Sequence, residues 1–254
     1  MPPRARAIAG VLAFAATAAL DAPDSQPDAV GVLVFTRTAG FRHDSIPAGV
    51  EAIRTLGTEH GWRVVATEDA GVFSSHGLSP FDVVVFLSTT GDVLNDVQQA
   101  AFERYIAKGG GYVGVHAAAD TEYDWPWYGR LVGAYFRSHP PGVHRATVLV
   151  SDREHPSTKM LPRHWPRRDE WYNYRARPAG TVRVLASLDE TTYEGGSMGN
   201  DHPIAWCHEF DGGRAWYTGG GHTIASWAEP LFLEHVLGGI LWAADRAQPR
   251  KKQP

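Results

Sequence analysis

The chain has 254 residues, 43% hydrophobic and 20% charged, enough for one full α/β domain and unlike either a disordered tail or a membrane bundle. A single cysteine excludes an intrachain disulfide and a Cys-rich zinc module, and a net charge of −4 gives no electrostatic hold on nucleic acid. Twelve histidines and nine tryptophans are high counts for this length.

In chain order, Arg4 and Arg6 precede the apolar run AIAGVLAFAATAAL, which is too short to span a bilayer and carries a small-x-small cleavage pattern at Ala16-Thr17-Ala18. Residues 1–19 are therefore expected to be a secretory signal peptide and residues 20–30 a flexible leader, so that the mature protein is secreted and makes no membrane contact. Val32-Leu33-Val34-Phe35 has the continuous apolar character of a strand buried on both faces. Ile46, Val50, Ile53 and Leu56 recur at helical spacing, with Asp44 or Ser45 placed to cap and Gly61 to end the helix. Residues 63–67 and 82–87 read as the next two strands. Asn95 and Gln98 have capping-box spacing at the head of a helix whose apolar face is Val97, Ala101, Tyr105 and Ile106, and Gly109 closes it. Residues 112–115 form a fourth strand, and the alternation of strands with helices implies βαβ units and a mainly parallel sheet.

The C-terminal half is richer in strand signals, at residues 146–150, 182–188, 204–210 and 214–217, with Asp211-Gly212-Gly213 as a hairpin turn. Pro230 opens a last helix with Leu233, Leu237, Ile240 and Leu241 along one side. One domain over residues 31–245 is expected, with residues 121–144 and 156–179 as loops and residues 246–254 as a disordered tail.

In a parallel α/β sheet, ligands bind beyond the carboxyl ends of the strands. His43 follows the first strand, and His116 stands directly at the end of the fourth, in GGGYVGVHAAAD. Small residues there allow a sharp strand-to-turn bend that thrusts one side chain into a cleft, as in a nucleophile elbow, but with imidazole as the group presented. His139, His144, His155, His202 and His222 also fall in loops, whereas His60, His76, His164, His208 and His235 have structural positions. Asp120, Glu122 and Asp124 follow His116, and Asp169-Glu170-Trp171-Tyr172-Asn173 forms an acidic-aromatic cluster. Indole faces stack on sugar C–H surfaces and carboxylates accept sugar hydroxyls, so this is the equipment of a carbohydrate pocket. The basic stretch at residues 163–168 reads as solvated loop surface.

The stretches GFRH (40–43), GGGYVGVHAAAD (109–120), WYGRLVGAYFRSHP (127–140), DEWYNY (169–174), DHPIAW (201–206) and GHT (221–223) resemble the ThuA-like family, named for trehalose utilisation. The resemblance implies a class I glutamine-amidotransferase-like fold, a flavodoxin-like three-layer α/β sandwich, and a sugar or oxidised (keto) sugar as ligand. Glutamine amidotransferases carry cysteine at the elbow; here it is His116, and the lone Cys207 lies in an apolar β segment, so thiolate-mediated glutamine hydrolysis is excluded.

The leading expectation is an enzyme in which His43, His116, His202 and His222 converge, with His116 as general acid or base. Glu170 and Asp120 share or orient the proton work. Trp127, Trp171 and Tyr172 would form the sugar platform, and Arg42, His202 and His222 would complete the substrate contacts. Two alternatives stand beside it. One is a hydrolase or isomerase holding a divalent transition metal on His43, His116, His202 and His222. The other is a non-catalytic carbohydrate-binding module. The expected partner is a small carbohydrate and not nucleic acid; a homo-oligomer is left open.

Overall fold

The computed structural model describes residues 29–178 and 181–245. The expected signal peptide, all but the last two residues of the leader, and the tail lie outside the described residues. The order is β1 (Gly31–Phe35), α1 (Ile46–His60), β2 (Arg63–Thr67), α2 (Ser75–Leu78), β3 (Val83–Leu87), α3 (Asp96–Ala107), β4 (Gly111–Val115), α4 (Pro126–Val132) and β5 (Phe136–Ser138). There follow β6 (His144–Val150), β7 (His164–Asp169), β8 (Asn173–Tyr174), β9 (Arg183–Asp189), β10 (Pro203–Phe210), β11 (Gly213–Thr218) and α5 (Pro230–Ala243). Among the described residues no helix is long and apolar enough to cross a membrane.

Nine strands form one mixed sheet in the order β2-β1-β3-β4-β11-β10-β9-β6-β7, and β5 pairs with β8 separately. The run from β2 to β11 is parallel, as the strand–helix alternation predicts. From β11 outward every ladder is antiparallel. The change of sense has a local cause. Asp211 and Gly212 sit at φ 48° and 92°, the doubly positive geometry of a two-residue hairpin turn, which folds β10 back on β11.

β1, β3 and β4 are buried at every residue because helices cover both faces. On one face, Phe86 and Tyr112 pack against Phe102 of α3 and Tyr128 of α4. On the other, Gly239 of α5 lies so close to the Trp216 indole that a Cβ would come within 2.5 Å of it.

Several local expectations are corrected. The capping box at Asn95 and Gln98 is present, but Val97 is 76% exposed. The buried face of α3 is Ala101, Phe102 and Ile106, and at 100° per residue Val97 lies about 140° round the helix from Phe102. Ser45 stands at the N-cap of α1 without capping it; its hydroxyl donates to the Gly221 carbonyl instead. The two supposed loops hold α4, β5, β7 and β8. The basic stretch at residues 163–168 belongs to edge strand β7, which alternates exposed and buried residues and turns Trp165, Arg167 and Asp169 inward. Arg167 is sandwiched between Trp165 and Phe232 and paired with Asp169 and Glu229. Although β7 is four ladders from β11, Asp169 bonds the chain just after β11, so the antiparallel half curls back over the sheet.

Candidate functional site

β4 leads directly into His116, whose φ of 50° is left-handed. For a residue with a Cβ this costs on the order of 1–2 kcal/mol. The conformation is held from three sides. Tyr217 Oη donates to the His116 carbonyl at 2.8 Å, the Tyr172 ring lies 4.2 Å away, and His116 Nδ1 meets the Gly219 carbonyl at 3.0 Å. A carbonyl only accepts, so Nδ1 carries a hydrogen and Nε2 faces the cluster. The turn that follows, Ala117-Ala118-Ala119, is fully buried.

His222 arrives on the loop after β11. Asp169, fully buried, accepts the backbone N–H of His222 and of Glu170 on Oδ1, and Gly221 N–H and the Ser226 hydroxyl on Oδ2. His43 sits on the loop after β1, which Thr90 pins through Ala39, Gly40 and Phe41. Ring centroids of His43 lie 4.8 Å from His116 and 5.1 Å from His222, and those of His116 and His222 lie 5.0 Å apart. Glu170, just past β7, brings Oε2 to 3.4 Å from His116 Nε2 and 3.3 Å from His222 Nδ1. Its Oε1 is 3.2 Å from His139 Nδ1.

Burial alone would raise the Glu170 carboxyl, but hydrogen bonding and charge from His116 and His222 outweigh it and hold the group well below the usual carboxylate range. Burial would lower His222, and Glu170 reverses that, leaving its imidazole raised. His43 is pushed down to about 3 by burial and by the neighbouring His116 and His222, so it is neutral, with a lone pair free to ligate. Its Nδ1 is buried with no hydrogen-bond partner. Asp120 is raised by burial, against the opposing influence of Tyr123, His116, Arg175 and His139.

These donors match a metal's coordination shell. His116 Nε2, His222 Nδ1 and Glu170 Oε2 form a triangle with edges of 3.1, 3.3 and 3.4 Å. Ligands at about 2.1 Å from one ion stand about 3.0 Å apart in an octahedron and about 3.4 Å apart in a tetrahedron. His43 adds a donor within 4.8 Å of the other three. The set is imidazole and carboxylate without thiolate, which suits zinc, iron, manganese or nickel.

Of the residues singled out from sequence, His43, His116, His222 and Glu170 come together, Tyr172 packs on His116, and Asp120 borders the cluster. Four others do not join it. His202 is fully buried between Glu190 and the Tyr172 carbonyl, so it backs the site and is not part of the metal set. Trp171 is in the core with Nε1–H on the His144 carbonyl. Trp127 stacks on Trp125 and bonds Asp211 at the amino end of β11, the opposite edge of the sheet. Arg42 pairs with Glu68 on the surface. Of the outer histidines, His139 joins the site. His144 holds the Pro141 carbonyl and His155 is buried on Ser157. Asp169 is the residue whose role sequence reasoning missed, because the stretch before it reads as loop and its inward parity appears only with β7 in place.

The family model described as ThuA, trehalose utilisation, matches residues 31–243. No curated protein sequence matches. Among solved structures, a protein described as ThuA-like from Bacteroides uniformis superposes with a TM-score of 0.73 at 24% identity, covering 87% of this chain and 95% of that one. A protein described as ThuA-like from Parabacteroides merdae gives 0.70 at 24% identity, over 89% and 93%. A cytoplasmic protein from Salmonella typhimurium gives 0.60 at 10% identity, over 84% and 98%. These likenesses show the fold, and the family match spans nearly all the described residues: the chain belongs to the ThuA, trehalose utilisation, family.

Proposed function

We propose that this ThuA-family protein is an exported enzyme that uses a divalent transition metal to act on a small sugar or oxidised sugar derivative. The observation that carries the metal is the triangle of donor atoms at 3.1–3.4 Å, supported by the unpartnered Nδ1 of His43. His116, His222 and Glu170 would hold the ion and His43 would complete the set. Such an ion supplies Lewis acidity or an activated water. The protein's own part is to fix the donors: Gly219 sets the His116 tautomer, and Asp169 sets the backbone of His222. The family's trehalose description supports the carbohydrate class, and helices on both faces of the parallel half support a flavodoxin-like sandwich. Burial of His116 and Glu170 favours catalysis over display on an open binding groove.

Untagged protein incubated with zinc, manganese or iron salts and desalted should retain about one equivalent of one metal by elemental analysis, and His116→Ala and Glu170→Ala should lose it. Less than about a tenth of an equivalent of every metal would refute the centre. The closeness of Glu170 to His116 and His222 also serves a second reading, metal-free acid–base catalysis by imidazole and carboxylate. Turnover of trehalose or a keto-disaccharide by chelator-treated, metal-free protein would favour it.

A further inference from the structure

We infer that His139 is the group that exchanges protons with substrate at the mouth of the centre, oriented by Glu170. The inference rests on the catalytic reading above, and it concerns a residue outside the proposed ligand set. His139 is 36% exposed, while His116, Glu170 and His222 are 0%, 8% and 24% exposed. It is thus the most open histidine in direct contact with the centre's carboxylate.

Its geometry is that of an oriented base. Nδ1 lies 3.2 Å from Glu170 Oε1 and 3.0 Å from the Pro140 carbonyl. Both are acceptors, so Nδ1 carries the hydrogen and the lone pair sits on Nε2. The backbone before Pro140 is restricted to extended conformations, and the ring lies 6.0 Å from Tyr172 at 22° and 5.9 Å from Phe136 at 33°. The Pro140 carbonyl takes the Nδ1 hydrogen and the Glu170 carboxylate lies beside it at ion-pair distance, leaving Nε2 to accept a proton, a division of labour similar to that of hydrolytic triads. Glu170 serves two sides at once, Oε2 toward His116 and His222 and Oε1 toward His139.

The step is a simple transfer. Nε2 takes the proton from a water or sugar hydroxyl; the N–H bond forms as the O–H bond breaks, and the electron pair stays on oxygen. Returning the proton to the departing oxygen restores neutral His139. Glu170 stabilises the imidazolium between the two transfers.

Two measurements test this on the full chain. Nitrogen-15 histidine spectra at about pH 8, where a free imidazole is neutral, should show His139 as the Nδ1–H tautomer, its signals identified by their loss in His139→Gln. His139→Ala should retain the metal, lose about 10²–10⁴-fold in kcat on trehalose or a keto-disaccharide, and regain at least tenfold with added imidazole. An Nε2–H tautomer, an undiminished kcat, or metal loss in His139→Ala would each overturn the role while leaving the metal centre standing. Absence of wild-type turnover on these sugars would refute the catalytic reading and this role with it.

Discussion

Replacing Asp169 with Asn tests whether the centre is built by one buried carboxylate. Asp169 accepts four donors, from Glu170, His222, Gly221 and Ser226, at 2.8–3.1 Å, and faces Arg167 at 3.5 Å. An amide keeps one acceptor oxygen and turns its NH₂ against two of those donors. Two hydrogen bonds to a charged group are lost, at about 1.5–3 kcal/mol each. Arg167 keeps Glu229 at 2.8 Å, so its charge is not stranded. The net loss is therefore about 4 kcal/mol, which for a domain of this size lowers Tm by on the order of 10 °C. Because either orientation of the amide frees a backbone donor of the loop that carries His222, at His222 itself or at Gly221, metal affinity should fall about 10–100-fold, as for other groups that orient ligands. Thermal melts followed by circular dichroism give the first quantity and cobalt titration the second. Glu68→Gln, which breaks an exposed pair with Arg42, is the control and should change stability by less than about 1 kcal/mol. An Asp169→Asn protein with wild-type Tm and wild-type cobalt affinity would show that this carboxylate does not build the centre.

Other expectations follow from the same geometry. Glu170 is depressed in the folded state, so its contribution is present above the unfolded carboxylate value of about 4.3 and lost as pH falls through the lower folded value. His222 is raised, so its contribution is present below about 6.5 and lost as pH rises through the folded value. Urea midpoints across pH should show both falls in metal-free protein, and an acid limb in Glu170→Gln as steep as in wild type would contradict the assignment. Asn95→Ala removes the capping box of α3 and should cost about 1 kcal/mol, read from the same midpoints; no loss would mean the helix is held by packing alone. Trp127→Phe removes the bond to Asp211 and should lower stability by about 1 kcal/mol while leaving metal stoichiometry at the centre unchanged. Altered stoichiometry would return Trp127 to the site.

The parallel half was legible because strands buried on both faces must be apolar throughout, as Val83–Leu87 is. The two-residue turn at Asp211-Gly212 announced the hairpin that reverses the sheet. Edge strand β7 was not legible: Pro166 and its outward Arg168 look like a loop, and the burial of Arg167 depends on Phe232 and Glu229, far along the chain. At the site, His43 and His116 were found because strand ends are where a parallel sheet exposes groups, and His222 because it follows a strand and a glycine run. His202 and the tryptophans shared that residue chemistry, but burial separates them. His202 turns inward onto Glu190, and Trp171 donates to a core carbonyl. A residue's type in a loop does not reveal which side of the loop it faces.

The curl that returns β7 over β11 gives the outer ribbon of the sheet an unusual duty. An edge strand has only one neighbour to hold it, and here that loosely bordered strand delivers Asp169 and Glu170 to histidines spread from position 43 to position 222. The centre is thus a clasp between the antiparallel edge of the sheet and the strand ends of its parallel half. An ion bound there would add to the hydrogen bonds by which Asp169 already ties β7 to the loop after β11, so its binding free energy would count toward the stability of the fold.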